Sequence, residues 1–401
     1  MKIVFLNPSG ELGGAETALL DMLAAVREAR PDWSLALVSS APGPLLERAR
    51  HLGIPSQSFT FPTSLARLGE WGTRQSTIGP IRLAAALSAA ALPTLRYASR
   101  LRRHLSELAP DIVHTNGLKM HLLGARTCPA GASLLWHMHD FPDRRPLTAA
   151  LLSWHRARCA AVLANSSSVA TQTRGVLGPG VPIHILHNSV DLERFHPEGP
   201  RLDLDALAGL APLPSGGIRI GLIGTFARWK GHEVFLEALA RFRDNGSVRG
   251  YVIGDAIYET AAIQFSQQEL RSIAAAKGLG DTVGFTGRVE DVPAALRALD
   301  IVVHASVEPE PFGLVIAEAM ACARPIVVSR AGDAVEIAES GALFHSPGNA
   351  GELADCLTQL INDSALRAYL GSAGRNAAVR VFGRRRLSDT LIPIYEAIAP
   401  A

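Results

Sequence analysis

Two carboxylates, Glu310 and Glu318, frame the stretch EPEPFGLVIAEAMACARPIV at residues 308–327. Residues 300–304 (DIVVH) ahead of it read as a short buried strand, and residues 313–323 read as a helix that ends before Pro325. The order is therefore strand, acidic loop, helix N-terminus. The backbone N–H groups of Phe312, Gly313, Leu314 and Val315 and the positive end of the helix dipole would face the loop, an arrangement that binds phosphate. Neither carboxylate suits a phosphate, so both should serve something neutral and hydroxyl-rich attached to it. A nucleotide-linked sugar meets both demands. The plainer alternative is that one Glu caps the helix and the other faces water. Glu318, however, sits among Val315, Ile316, Ala317, Ala319, Met320 and Ala321, where a solvated face would carry more polar neighbours.

A second loop of this type is GTFARWKGHE, residues 224–233, which follows a strand at 218–223 and enters a helix running to about residue 242. Arg228 as a fork donor and Lys230 as a point charge suit a diphosphate there; the alternative is surface charge in a turn. The chain opens on a strand at residues 2–6, the glycine-rich loop NPSGELGGAE and a helix at 15–29, the start of a nucleotide-binding βα unit. Gly10, Gly13 and Gly14 do not match G-x-G-x-x-G, and a turn alone would explain them equally well. Asn116, after the strand 111–114, and His137, His139 and Asp140, at the end of the strand 133–139, lie where open α/β sheets hold ligands. Strand alternation turns Asp140 away from the two histidines, so they do not make a metal site. No D-x-D stands near a strand end, and no metal or other cofactor is expected.

Positioning these loops requires two cores, and 401 residues suffice for two domains. Further strands at 34–39, 56–61, 161–165, 182–186, 250–254, 283–286, 325–329 and 342–344 alternate with helices, so each half should be a parallel sheet covered on both faces. The four prolines and several glycines of residues 195–217 mark a linker. A helix at 95–108 should bury Leu95, Ala98, Leu101, Leu105 and Leu108 and show Arg96, Arg100 and Arg103 on another stripe. Such a basic helix can lie on an anionic membrane, although a solvated outer face is the preferred reading. The irregular stretch 62–81, with Gly69, Trp71, Gly72 and Gly79, is assigned to the acceptor side. The net charge of +2 does not select for nucleic acid, and no nucleic-acid partner is expected. Four scattered cysteines without C-x-x-C fit a reducing cytoplasm, and the start MKIVFLNPSG reads as a strand rather than a signal peptide.

Glu310 and Glu318, with seven residues between them and PFG after the first, resemble the E-x7-E signature of the large retaining glycosyltransferase family that includes bacterial mannosyltransferases and sucrose and glycogen synthases. The resemblance extends over nearly the whole chain. Gly13, Gly14 and Glu16 match a GGxE loop near donor phosphates and acceptor. His139-Asp140 matches a His-Asp pair near the reacting sugar. The HNSVD turn at residues 187–191 resembles an N-G-V-D turn with Ser189 for Gly. Gly224, Lys230 and Gly231 fit G-R-x-x-x-x-K-G, but Thr225 replaces the Arg, and Arg228 is the candidate to take over its charge. Gly332-Asp333 stands where two glycines are usual. Arg288 is the candidate for the nucleobase region.

The resemblance implies a GT-B fold: two Rossmann-like domains facing across a cleft, with the last helix crossing back to the first domain. The expected divisions are an acceptor domain at 1–194, a linker at 195–217, a nucleotide-sugar domain at 218–383 and the crossing helix at 384–401. It implies a retaining, metal-independent hexosyltransferase acting from a nucleoside-diphosphate sugar on a glycan, lipid-linked or small-molecule acceptor, in cell-envelope polysaccharide or glycolipid synthesis. Glu310 and His139 would be catalytic. Gly14, Arg228, Lys230, Arg288, residues 312–315 and Glu318 would bind the donor, with Glu318 on the ribose; Glu16 and Asn116 would bind the acceptor. The expected place is the cytoplasm, with a peripheral contact at the inner face of the membrane. The alternatives are a non-catalytic sugar-nucleotide-binding protein and a sugar-nucleotide epimerase of the same fold.

Overall fold

The computed structural model describes residues 1–67, 80–256, 264–338 and 341–400. The chain divides into two compact units, Met1–Ser189 with Arg384–Ala401, and Val190–Gly383.

The first unit is built on seven strands: β1 (Lys2–Asn7), β2 (Ser34–Ser39), β3 (Ser56–Ser58), β4 (Ile112–Asn116), β5 (Ser133–Met138), β6 (Ala161–Ala164) and β7 (Ile183–Ile185). All pair in parallel, in the order β3-β2-β1-β4-β5-β6-β7. Both faces are buried, which is why the strands read as continuous apolar runs. Successive side chains feed opposite cores. Val4, Leu6, Val113 and Trp136 join one, while Ile3, Phe5, Ile112 and Leu135 join the other. The second core is closed by the helix Gly14–Ala29 and by the last helix, Arg384–Ile398, through Leu387, Leu391, Ile394 and Tyr395. Arg384 Nη2 also donates to Asp21 Oδ1 at 2.5 Å, so the chain's end is fastened to the first unit.

The first core is closed in part by the helix Pro80–Leu108, longer than the expected 95–108. Tyr97, Leu101 and Leu105 are its buried stripe, whereas Leu95 is 56% exposed. At about 100° per residue, position 97 lies about 40° from Leu101 and position 95 about 120° away. Leu95 therefore belongs to the outer face with Arg96, Arg100 and Arg103, all exposed. Of the irregular stretch expected at 62–81, residues 63–67 form a short helix and 80–81 begin the long one. Gly69, Trp71, Gly72 and Gly79 lie outside the described residues.

The second unit carries β8 (Ile218–Ile223), β9 (Val248–Ile253), β10 (Val283–Gly287), β11 (Ile301–His304), β12 (Ile326–Ser329) and β13 (Ala342–His345). They form a parallel sheet in the order β10-β9-β8-β11-β12-β13. Residues 195–217 pack into this unit. Phe195 and Leu204 enter its core, and the buried Asp205 accepts hydrogen bonds from Leu213 N, Arg219 Nη2 at 2.8 Å and Tyr251 Oη at 2.5 Å, and pairs with Arg249. Proline and glycine content marks where a helix or strand stops; it does not show whether the irregular chain is loose.

Candidate functional site

Each sheet reverses its winding once. In the second unit this happens between β8 and β11, and in the first between β1 and β4. The loops at the carboxyl ends of such strand pairs diverge and leave a crevice where open α/β sheets bind ligands. The loop after β8 carries Lys230 and the loop after β11 carries Glu310.

These loops are fastened together. Val307 N donates to Trp229 O at 2.8 Å. Gly231, at φ +76°, lies so close to β11 that any Cβ would overlap the Ala305 carbonyl oxygen. Only glycine meets both demands. As a result Lys230 Nζ forms an ion pair with Glu310 Oε1. Glu310 Oε2 accepts from His304 Nε2 at 2.7 Å and from Ser306 Oγ at 2.9 Å. Glu310's main chain is held as well, since Asp333 N donates to its carbonyl at 3.2 Å and Glu310 N donates to Ala331 O at 3.4 Å. Burial alone would push this carboxyl up, but Lys230 and His304 overcome it and hold it well below the ordinary carboxylate range. At neutral pH Glu310 is an anion.

The helix Leu314–Ala321 begins beside it, with Gly313 at φ +79° as its N-cap and no side-chain cap on its first N–H groups. The N–H groups of Leu314 and Val315 therefore belong to an uncapped positive helix end. Phe312 turns into the core, its ring 5.8 Å from that of Phe382, so its own contribution to a site would be main-chain. Glu318, one turn on, is half-buried. Arg288 follows β10 and is exposed. Arg228 has a different surrounding from the one expected: its guanidinium pairs with Glu269 at 3.1 Å and lies over the Phe265 ring at 4.2 Å.

In the first unit Glu16 reaches back over the start of its helix: Gly13 N donates to Oε2 at 3.2 Å, while Asn7 Nδ2 donates to Oε1 at 3.2 Å. Burial raises its carboxyl above the usual value, and the negative charge of Asp140 adds to this. Gly14 is exposed, and no atom of the protein crowds its α-carbon. Asn116 ends β4, and its Oδ1 lies 3.3 Å from His139 Nε2. The His137 and His139 rings are 4.0 Å apart, and burial lowers His139 to about 4, so it is a neutral imidazole at physiological pH. Among the described residues no group of three or more His, Cys, Asp or Glu could hold a metal ion.

His304 and Ser306 were not singled out by the sequence. A signal was present: two polar side chains two residues apart at the carboxyl end of an apolar strand share one face, and that face points to the ligand edge.

Two parallel-sheet units, each with polar residues gathered at its switch point, define a doubly wound α/β protein. Residues 12–194 match the model for Glycosyltransferase Family 4, and residues 217–363 match that for Glycosyl transferases group 1. The chain is 30% identical over 226 residues to D-inositol 3-phosphate glycosyltransferase of Corynebacterium jeikeium, covering 55% of this chain and 52% of that one. It is 27% identical over 256 residues to alpha-maltose-1-phosphate synthase of Mycobacterium tuberculosis, covering 59% and 63%. It spans about half the length of the curated relatives it matches. The crystal structure of Anabaena Alr3699/HepE in complex with UDP-glucose superposes with a TM-score of 0.80 at 25% identity, over 99% of this chain and 100% of that one. The chain belongs to the glycosyltransferases of GT-B architecture.

Proposed function

We propose that the protein transfers a hexose, with retention and without a metal, from a nucleoside-diphosphate sugar to a glycan, lipid-linked or small-molecule acceptor in cell-envelope synthesis. The observation that carries this is the Lys230–Glu310 pair beside an uncapped helix N-terminus at the β8/β11 switch point. The chemical difficulty is departure of a diphosphate from an oxocarbenium-like sugar, which calls for preorganised positive potential rather than a strong base. Lys230 and the N–H groups of residues 312–315 would supply it, joined by Arg228 on leaving Glu269. Glu310 would hold the hydroxyls of the transferred sugar, Glu318 the ribose, and Arg288 the base region. In the first unit the neutral His139 would meet the sugar, Gly14 would lie near the donor, and Glu16 and Asn116 would serve the acceptor. A solved structure of a similar protein in complex with UDP-glucose supports UDP-glucose as the first donor to try.

The test is thermal unfolding with UDP, GDP, ADP and their sugar conjugates, followed by product analysis. A ligand at a hundredfold its Kd adds about 2.7 kcal/mol to the folded state. One nucleotide standing out, then glycosyl transfer, is the expected result. Stabilisation without any product would leave a binding protein, interconversion of donor epimers without acceptor would mark an epimerase, and no shift with any nucleotide would sink the donor site.

A peripheral contact with an anionic membrane at the cytoplasmic face is the second part of this reading. Leu92 and Leu95, 55% and 56% exposed, stand on the helix that also exposes Arg96, Arg100 and Arg103. Among the described residues no helix is long and apolar enough to cross a membrane. Flotation with phosphatidylserine vesicles should carry the protein upward; indifference to them would remove the contact.

A further inference from the structure

We infer that His304 and Ser306 clamp one oxygen of Glu310 and are positioning residues, leaving the other oxygen to exchange between Lys230 and a bound sugar. This rests on the proposed role of Glu310 toward the transferred sugar. The two carboxylate oxygens are held differently. Oε2 receives His304 Nε2 at 2.7 Å and Ser306 Oγ at 2.9 Å. Oε1 is the oxygen that pairs with Lys230.

The two holds also differ in stiffness. His304 ends β11, and Ser306 follows two residues on, with its own carbonyl fixed by Ser329 Oγ at 2.6 Å. All three side chains around Oε2 are buried. Lys230 instead reaches Oε1 along a flexible four-carbon stem from another loop. Two donors on one oxygen fix the position and plane of the carboxylate, while a single mobile cation on the other can be traded for a ligand. A group that must align a sugar hydroxyl needs that fixed plane.

The clamp also sets the state of His304. An ionised carboxylate only accepts, so the imidazole must present its proton at Nε2. Nδ1 is buried with no hydrogen-bond partner among the described residues. The charged and titratable groups around the ring are Glu310, Lys230 and, from β13, His345, which burial pushes down. His304 therefore donates to Glu310 from Nε2.

Glutamine and asparagine separate this role from mere packing. A glutamine amide nitrogen reaches the place of Nε2, whereas an asparagine nitrogen reaches that of Nδ1. His304→Ala and His304→Asn should each lower turnover of UDP-glucose by about 10²-fold, the scale of a small misplacement of a reacting group. UDP affinity should stay within about twofold, because Lys230 and its pairing with Oε1 are left in place. His304→Gln should recover at least about tenfold of the turnover on the same scale. Equal behaviour of Asn and Gln, or UDP affinity falling in step with turnover, would overturn the clamp. A second measurement needs no turnover: nitrogen-15 NMR of the histidine-labelled full chain, with His304 assigned by its disappearance in His304→Gln. A proton at Nε2 is expected, and a ring that carries its proton at Nδ1 with Nε2 bare overturns the inference. A wild type that transfers nothing from any sugar nucleotide defeats the proposed function, yet the tautomer still reports on the clamp.

Discussion

At the β8/β11 edge of the second unit, Lys230, Glu310, His304 and Ser306 satisfy one another around a buried anion. At the β1/β4 edge of the first, the corresponding positions carry neutral amides and imidazoles, and several are left wanting. Asn7 Oδ1, Asn116 Nδ2 and both ring nitrogens of His137 are buried without a hydrogen-bond partner among the described residues. Burial lowers His114 to about 3 and His139 to about 4, and drives His121 and His137 well below their ordinary value. The same sheet geometry thus supports a preorganised ion pair in one unit and, in the other, an under-satisfied edge of amides and imidazoles beside Glu16. A charged edge pays its desolvation in advance, which the proposed diphosphate would exploit. A neutral edge keeps each missing hydrogen bond as a cost of about 1–3 kcal/mol, which a hydroxyl-rich ligand can relieve only if the edge opens to it.

The hardest way to break this contrast is to remove the anion. Glu310→Ala leaves Lys230 uncompensated, and breaking a buried pair from one side costs about 3–5 kcal/mol. Urea unfolding should show a loss of that order, with turnover abolished. Asp205→Ala is the sharpening control. It also removes a buried carboxylate and leaves Arg219, Arg249 and Tyr251 without their shared acceptor, so a comparable loss is expected, but with UDP affinity per folded molecule unchanged. If both variants lose UDP affinity alike, the charge at the switch point has no special role.

Gly231→Ala attacks the geometry instead of the charge. Its Cβ would overlap the Ala305 carbonyl at a positive φ, at a cost of about 1–3 kcal/mol for the backbone conformation alone. The Lys230 loop must shift off β11, and UDP affinity should fall with stability. An alanine variant that binds UDP as tightly as wild type would show that the loop's seat is not what places Lys230.

Acid should separate the two edges. The buried histidines have folded values below 6.5, so the unfolded chain binds more protons as pH falls through that value. Stability from the neutral imidazoles is present above 6.5 and is lost progressively between 6.5 and about 4, at up to about 1.4 kcal/mol per pH unit for each group. Glu310 is depressed below 4.5, so its contribution is present above 4.5 and is lost only below it. Hydrogen exchange at pH 5.5 should accelerate more in β4 and β5, beside the four lowered histidines His114, His121, His137 and His139, than in β11 and β12, beside the two lowered ones, His232 and His345. Equal acceleration, or β11 leading, would refute the contrast.

The strands were largely legible from sequence because parallel sheets bury both faces, and runs such as residues 218–223 have no other way to hide. Leu95 misled because a leucine in a short helical window looks like core until Tyr97 and the true length of the helix set the phase. The pairing of Lys230 with Glu310 was not legible at all. They lie 80 residues apart, and each alone reads as a ligand for a different group. Only strand order brings their loops together, and strand order is not written in local periodicity. His304 and Ser306 could have been read from their i, i+2 spacing at a strand's carboxyl end.

The smallest expected effect concerns the residue whose role is least fixed by its own surroundings. Arg228 stands where charge for the diphosphate was expected, yet its exposed guanidinium pairs with Glu269 and stacks on Phe265. An exposed pair contributes at most about 1 kcal/mol, so Arg228→Ala should barely change unfolding. If the guanidinium moves to the diphosphate, one charge-assisted hydrogen bond of about 1.5 kcal/mol disappears, and UDP binds about tenfold more weakly by calorimetry. Glu269→Gln should then bind UDP slightly more tightly, because the competing carboxylate is gone. Unchanged affinity in both variants would leave Lys230 and the helix N-terminus to bind the diphosphate without Arg228. Thr225 would then mark a real loss of positive charge from the donor edge.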